Sequence, residues 1–150
     1  MLLTDVNVLI YAHRGDATDH ARYKAWLDDM LAGDAAFGVS ELVLSWFVRV
    51  ATHPRVFKQP TPLDIALNFA DRLRIHENAV AVAPGERHWS IFTRLCRDAG
   101  AKGNLIPDAY LAALAIESGS EWITTDRDFA RFTGLRWKHP LTLSEPGTDS

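Results

Sequence analysis

Four acidic residues occupy positions in this sequence from which they could act together. Asp5 follows the apolar run MLLT, Glu41 follows AFGVS and Asp126 follows EWITT. Asp108 stands at the start of a helical pattern, directly after Pro107, which is typical of a first helical turn. If the apolar runs are parallel strands, their carboxyl ends share the edge where sites of open α/β sheets lie. At least three of the acids are therefore expected to converge.

Such a group of carboxylates indicates a site for a hard divalent cation. Carboxylates held close together repel one another, and a protein gains nothing by collecting them without a compensating charge. Mg²⁺ and Mn²⁺ prefer oxygen ligands and retain several waters. A cation of this kind lowers the pKa of bound water and stabilises charge on a phosphate. The predicted chemistry is metal-assisted attack of water on a phosphodiester.

Each acid also has a structural interpretation. Asp5 and Asp126 could cap the helical segments that follow them, and Glu41 could sit in a first turn behind a capping Ser40. Asp108 could complement the dipole of its helix. Capping acids are common, so any one of the four is explained simply in this way. Convergence of the four at one edge is not explained by capping alone.

No other arrangement of residues competes for the chemistry. The six histidines are scattered along the chain. Cys96 is the only cysteine, which excludes an intrachain disulfide and favours a reducing cytoplasm. The sequence contains neither a Walker-type phosphate-binding loop nor the nucleophile elbow of the α/β-hydrolases.

The elements that would position the acids alternate between strands and helices. Short apolar runs predict five strands, at residues 1–4, 36–40, 79–83, 121–125 and 135–140. Helical periodicity predicts helices at about 6–13, 18–32, 41–52, 62–76, 85–99 and 106–118, with a short one near 127–132. Strands separated by helices indicate an α/β fold with a parallel sheet covered on both faces. The last strand is expected at an edge of that sheet.

The size and composition of the chain fit one globular domain. It has 150 residues, of which 47% are hydrophobic, and a formal net charge of −3. The longest apolar run is about eight residues, far below the roughly 18 needed to span a bilayer. The N-terminus lacks the basic region of a signal peptide. We assign residues 1–140 to the domain and 141–150 to a polar tail, and we expect a cytoplasmic protein without a membrane partner.

Four segments that contain the acids resemble the motifs of the PIN domain family. They are LLTDVNVLIYA with Asp5, SELVLSWFVRVATHPRVF with Glu41, GNLIPDAYLAALAIESG with Asp108, and EWITTDRDFARF with Thr124, Asp126 and Asp128. The last segment has the pattern TxDxDF. The four occur in the family's order at family-like spacing. Within the family, the sequence is most similar to the VapC-type toxins of prokaryotic toxin–antitoxin pairs.

The resemblance implies a fold, an activity and partners. The fold would be a three-layer α/β/α sandwich whose central parallel sheet has five strands. The activity would be endoribonuclease cleavage that depends on Mg²⁺ or Mn²⁺. The usual assembly is a homodimer, which a small antitoxin neutralises by covering the acid site with its C-terminal segment. The catalytic, metal-binding set carried over from the family is Asp5, Glu41, Asp108 and Asp126, supported by the Thr124 hydroxyl and by Asp128 as a secondary acid.

Basic side chains near the site would have to hold the RNA, because phosphates attract arginine and lysine. The candidates are Arg14, Arg49, Arg55 and Lys58. The last three lie within VRVATHPRVFK, and a solvated loop and helix end is the alternative interpretation of that segment.

Two other functions stay open on the sequence. A metal-dependent phosphatase acting on a small molecule would also place an acid after the first strand. That class usually has a second acid two residues later, where this chain has Asn7. A noncatalytic, PIN-like RNA-binding module would keep the fold, but the four intact acids argue against it.

Overall fold

The computed structural model describes residues 1–142, which form one parallel sheet of five strands. The strands are β1 Leu2–Thr4, β2 Phe37–Val39, β3 Ala79–Ala81, β4 Glu121–Ile123 and β5 Trp137–Lys138. Their order in the sheet is β3-β2-β1-β4-β5, and every neighbouring pair is parallel. The predicted polar tail lies almost wholly at 143–150, outside the described residues, so the domain boundary at residue 140 stays a prediction.

The strand order creates a switch point beside the central strand. From β1 the chain winds towards one edge of the sheet through β2 and β3, and it then crosses to the other side of β1 to form β4 and β5. The direction of winding therefore reverses between β1 and β4. In open parallel sheets, ligands bind outside the carboxyl ends of the strands at such a point. Asp5 and Thr124 are the first residues after these two strands.

Helices cover both faces of the sheet. They are α1 Val6–His13, α2 His20–Ala32, α3 Glu41–Ala51, α4 Leu63–Arg74, α5 His88–Ala99 and α6 Leu105–Ser118, with a 3₁₀ turn at Arg127–Arg131. The helices α1 to α4 form one packed group, and α5 packs against α6. The predicted three-layer α/β/α architecture is confirmed. Among the described residues, no helix is long and apolar enough to cross a bilayer.

The composition of α6 fixes the position of Asp108. Ala109 and the run Leu111–Ala115 are buried, so this helix is enclosed on nearly all sides. It packs against β4, whose Trp122 has no exposed surface. A rigid apolar helix of this kind leaves little freedom to its first turn, where Asp108 lies.

The predicted elements are confirmed in type and order, and their ends differ by a few residues. The helix predicted from residue 85 begins at His88, because the amides of Gly85 and Arg87 bind the carboxylate of Glu117 at 2.7 and 2.9 Å. The last strand is predicted over 135–140 and pairs only at Trp137 and Lys138, because its single neighbour β4 is itself short.

Gly38 in β2 provides a test of the packing at the centre of the sheet. A Cβ atom there would lie 3.0 Å from Val82 Cγ2 and 3.2 Å from Leu3 Cδ1. We expect Gly38→Ala to lower the free energy of unfolding by about 1–3 kcal/mol, because it overpacks a filled space. Gly33→Ala is the matched control, since its nearest neighbours would lie at 3.5 Å. Urea unfolding measures both, and equal stability of the two variants would contradict this packing.

Candidate metal centre at the switch point of the sheet

Asp5 caps a helix and also belongs to the candidate metal site. Its Oδ1 accepts a hydrogen bond from the amide of Val6 at 2.7 Å, which caps α1. Its Oδ2 accepts a hydrogen bond from the hydroxyl of Thr124 at 2.7 Å. The residue is only 6% exposed, and burial raises the pKa of its carboxyl, while the two hydrogen bonds lower it and the charge of Asp126 raises it. Capping and site formation are therefore not alternatives here.

Thr124 joins β1 to the turn that follows β4. It is fully buried, and its hydroxyl both donates to Asp5 and accepts from the amide of Asp126 at 3.1 Å. Asp126 in turn accepts from the amide of Asp128 at 2.9 Å through Oδ1, which caps the 3₁₀ turn. Asp128 is exposed. The Thr124 hydroxyl thus binds the carboxylate of Asp5 and the backbone amide of Asp126 at the same time, which fixes the positions of these two residues relative to each other.

Asp108 lies within electrostatic reach of the other acids. Its pKa is raised from 3.8 to about 6, first by burial and then by the charges of Asp126, Asp5 and Asp128. The half-buried carboxyl of Asp108 therefore lies near the negative charges of these three acids. Three of the predicted acids, Asp5, Asp108 and Asp126, are therefore neighbours at this edge; we call them the acid cluster.

Glu41 follows β2 at the same edge, but its carboxylate is occupied elsewhere. Ser40 caps α3 through a 3.3 Å bond from the amide of Val43, and Glu41 lies in the first turn behind it. Oε2 of Glu41 accepts a 2.7 Å ion-paired hydrogen bond from Nε of Arg74, on α4. Its side chain is 72% exposed. The Glu41 carboxylate is therefore paired with α4 and not with the acid cluster.

The acid cluster fits a hard divalent cation by its chemistry. Within residues 1–142, no three acid, histidine or cysteine side chains are arranged to hold a metal ion as they stand. The donors are oxygens, however, and no lysine or arginine of the described chain forms an ion pair with the cluster. Asp126 is half-buried and Glu41 is exposed, so both side chains have room to turn towards a cation.

The four basic candidates fall into two groups. Arg49, Arg55 and Lys58 are exposed. Arg14 is 9% exposed, and its guanidinium binds both carboxylate oxygens of Asp16, at 2.9 and 2.6 Å. It also donates to the carbonyl of Gln59 and the hydroxyl of Thr61, and it lies 3.9 Å over the ring of Phe57. The donors of Arg14 are thus used within the chain.

Comparison with known proteins identifies the family to which this chain belongs. The PIN domain model matches residues 2–135. Ribonuclease VapC43 of Mycobacterium tuberculosis is 47% identical over 141 residues, which cover 94% of this chain and 96% of that protein. This chain belongs to the PIN domain family, among its VapC ribonucleases. Ribonuclease VapC25 of the same organism is 41% identical over 140 residues, covering 93% and 99%. The predicted family is confirmed.

Solved PIN domain structures share the fold. The structure of VapBC2 from Rickettsia felis, bound to a DNA fragment from their promoter, matches with a TM-score of 0.63 at 15% identity and covers 90% of this chain and 95% of that one. VapBC-1 from nontypeable Haemophilus influenzae matches with a TM-score of 0.62 at 17% identity, covering 93% and 97%. PIN domain VapC ribonucleases generally depend on divalent metal.

Sequence reasoning missed the partner of Glu41 in this PIN domain. Arg74 is one of two basic residues in the last turn of α4, where a basic side chain is common because it complements the helix dipole. Nothing in its sequence context separates that ordinary role from an ion pair across to α3. The pairing follows from the packing of α4 against α3, which no local pattern encodes.

The raised pKa of Asp108 predicts a pH-dependent loss of stability in metal-free protein. Below 3.8 this carboxyl is protonated in both the folded and the unfolded state. As the pH rises towards about 6, the unfolded state loses the proton first, so the folded state becomes relatively less stable. Asp108→Asn should remove this dependence and should melt at or above the parent's temperature at pH 7.5.

The measurement is thermal unfolding in EDTA between pH 4 and pH 8. Asp98→Asn, which removes an exposed charge on α5, is the control and should follow the parent. An Asp108→Asn protein that is clearly less stable than the parent at pH 7.5 would make Asp108 a structural residue of the start of α6.

Proposed function

We propose that this PIN domain protein is the toxin of a toxin–antitoxin pair and that it cleaves RNA phosphodiester bonds at the acid cluster. The cofactor in this proposal is Mg²⁺ or Mn²⁺, held by Asp5, Asp108 and Asp126, with Glu41 as the fourth ligand. The observation that carries the proposal is the position of three carboxylates at the switch point of the sheet. The Thr124 hydroxyl binds both the Asp5 carboxylate and the Asp126 amide, the charges of these two acids raise the pKa of Asp108, and no lysine or arginine among residues 1–142 forms an ion pair with the three. The names of the VapC ribonuclease relatives support RNA as the substrate.

The residues of the chain prepare the site before any substrate arrives. The Val6 amide and the Thr124 hydroxyl hold the carboxylate of Asp5 in one orientation. The Thr124 hydroxyl also fixes the turn that carries Asp126. A bound divalent cation would supply a Lewis acid for the phosphate and lower the pKa of a coordinated water. Pre-set ligand orientation of this kind reduces the reorganisation needed at the moment of reaction.

Glu41 has to leave Arg74 to join the acid cluster. The ion pair is exposed on both sides, with 72% and 55% of the side chains accessible, so breaking it is inexpensive. In this proposal Asp128 is a secondary acid and is not one of the four metal ligands. It is exposed beside Asp126, and its charge adds to the repulsion on Asp108.

Arg49, Arg55 and Lys58 are proposed to bind the phosphates of the RNA because all three are exposed. Arg49 lies in the last turn of α3, and Arg55 and Lys58 lie in the segment that follows this helix. Arg14 has a supporting role, since it fixes Phe57 and the residues around Thr61 from beneath the same segment.

A small antitoxin and a second copy of the chain are the proposed partners. Structures with the same fold are described as VapBC and toxin–antitoxin complexes, which supports an antitoxin partner. An anionic site without a counter-charge favours a guanidinium, so the antitoxin is expected to present an arginine to the acid cluster. Leu63 and Leu67 lie one turn apart on α4 and are 58% and 42% exposed, which offers apolar surface for a homodimer.

The central prediction concerns metal-dependent cleavage. We expect the protein to cut RNA with Mg²⁺ or Mn²⁺ and not with EDTA. Asp5→Asn should slow cleavage by about 100-fold or more, because it removes a ligand rather than a supporting group. Gel analysis of end-labelled RNA measures the rates. Undiminished cleavage by Asp5→Asn would point to a contaminant or to a different site.

Thr124 allows a sharper version of the same test. Thr124→Val keeps the shape and removes the hydroxyl, so cleavage should fall about 10- to 100-fold, as expected for a group that orients a ligand. Thr124→Ser retains the hydroxyl and should keep most of the activity. If the two variants behave alike, the hydroxyl does not position Asp5.

The exposed basic residues predict a salt-dependent contribution to RNA binding. Arg49→Ala and Arg55→Ala should each weaken binding and reduce the slope of log K against log salt by about 1. Arg72→Ala, which removes an exposed arginine of α4, is the control. Fluorescence anisotropy with a cleavage-deficient Asp5→Asn background measures the slopes. If all three variants match the background protein at every salt concentration, the segment is a solvated surface.

A further inference from the structure

A cavity of about 670 Å³ opens beside the acid cluster, and the proposed chemistry does not use it. Asn7 and Thr125 line it. Asn7 lies two residues after Asp5, and Thr125 directly precedes Asp126, so this end of the cavity lies close to the acid cluster. Its volume falls within the range of about 300–1,000 Å³ that is typical of small-ligand pockets.

Aromatic rings form part of the wall of this cavity. Tyr11 and Tyr23 line it with ring centroids 5.0 Å apart, and Phe57 lies in the same wall. The guanidinium of Arg14 lies over the Phe57 ring and is itself fixed by Asp16. Tyr23 is only 7% exposed and packs against Tyr11, whereas Tyr11 and Phe57 are partly exposed. Partly exposed aromatic rings are suited to stacking on an unpaired base, which is how proteins read single-stranded RNA.

Asp19 is an exposed acid in the wall of the cavity. It precedes α2 with φ 59° and ψ 22°, a left-handed conformation that aspartate and asparagine tolerate better than most residues. Its carboxylate makes no hydrogen bond that caps the helix, and its exposure leaves it accessible to a ligand. Its charge reaches Tyr23, whose pKa is raised by burial first and then by Tyr11 and Asp19. Asp16, the other acid of the cavity, is already bound by Arg14.

We propose that this cavity binds an unpaired guanine of the RNA next to the scissile phosphate, with the Asp19 carboxylate accepting hydrogen bonds from guanine N1–H and N2–H₂. The inference rests on the proposed ribonuclease function and adds base selection to it. Guanine alone among the four RNA bases presents two adjacent donors on its Watson–Crick edge. Adenine, cytosine and uracil present an acceptor beside a donor there, and a carboxylate can only accept. Two parallel charge-assisted bonds therefore favour guanine.

The surroundings of the cavity favour a base over a segment of a partner protein. Phosphates on either side of a bound base would meet Arg55 and Lys58, which flank Phe57 in the sequence and are exposed.

The test uses the full chain and a pool of RNA hairpins with a randomised loop. Cleavage is run with Mg²⁺ or Mn²⁺, and the new ends are sequenced for the parent, Asp19→Asn and Asp29→Asn. The parent should show guanine enriched at one fixed position beside the cut. Asp19→Asn tolerates the same backbone conformation and should reduce the preference for guanine by about 5- to 150-fold, the range expected for loss of a bidentate base contact. Asp29→Asn, which removes an exposed acid of α2 outside the cavity, should keep the parent's preference.

Several results would overturn the guanine site. Equal cutting beside all four bases by the parent would do so while leaving the ribonuclease function intact. So would an unchanged preference in Asp19→Asn. If Asp19→Asn loses affinity for the antitoxin and keeps the preference of the parent, the cavity belongs to the partner protein. Absence of any metal-dependent cleavage by the parent would remove the ribonuclease function and this inference with it.

Discussion

The hydrogen bond between the Thr124 hydroxyl and the Asp5 carboxylate connects residues 119 positions apart in the sequence and holds the site together. It can form only if β1 and β4 are neighbours in register, so it depends on the crossover that brings the chain back to the central strand. It also keeps a buried carboxylate hydrogen-bonded, which a charged group in this position requires. The turn to Asp126 is anchored on the same hydroxyl.

A second constraint follows from this arrangement. With Asp5 and Asp126 fixed, the apolar packing of α6 brings Asp108 towards them, and the three carboxylates repel one another. The folded protein therefore carries an unfavourable electrostatic interaction that a cation would relieve. Strain of this kind is common where a site is built for function rather than for stability. The carboxylate of Glu41 is paired with Arg74 and does not add to this repulsion.

The sequence predicts the parts of this structure that depend on local patterns. Apolar runs and helical periodicity locate the strands and helices, and the position of Asp5 and Asp126 after strands predicts the edge at which they lie. Contacts made by long side chains are not encoded in this way. Arg14 stands beside a glycine in a loop, where exposure is the natural expectation, yet it is buried through Asp16, Gln59 and the Phe57 ring. The left-handed conformation of Asp19 is equally invisible to periodicity.

We propose that the acid cluster is the metal centre of this PIN domain. Anomalous diffraction from crystals containing Mn²⁺ tests it most directly, because the signal locates the ion without reference to activity. We expect an anomalous peak bonded to carboxylate oxygens of Asp5, Asp108 and Asp126, with Glu41 turned away from Arg74 to the ion or to one of its waters. A peak bound elsewhere, with the acid cluster free of manganese in a protein that still cleaves RNA, would show that the metal centre lies at another site.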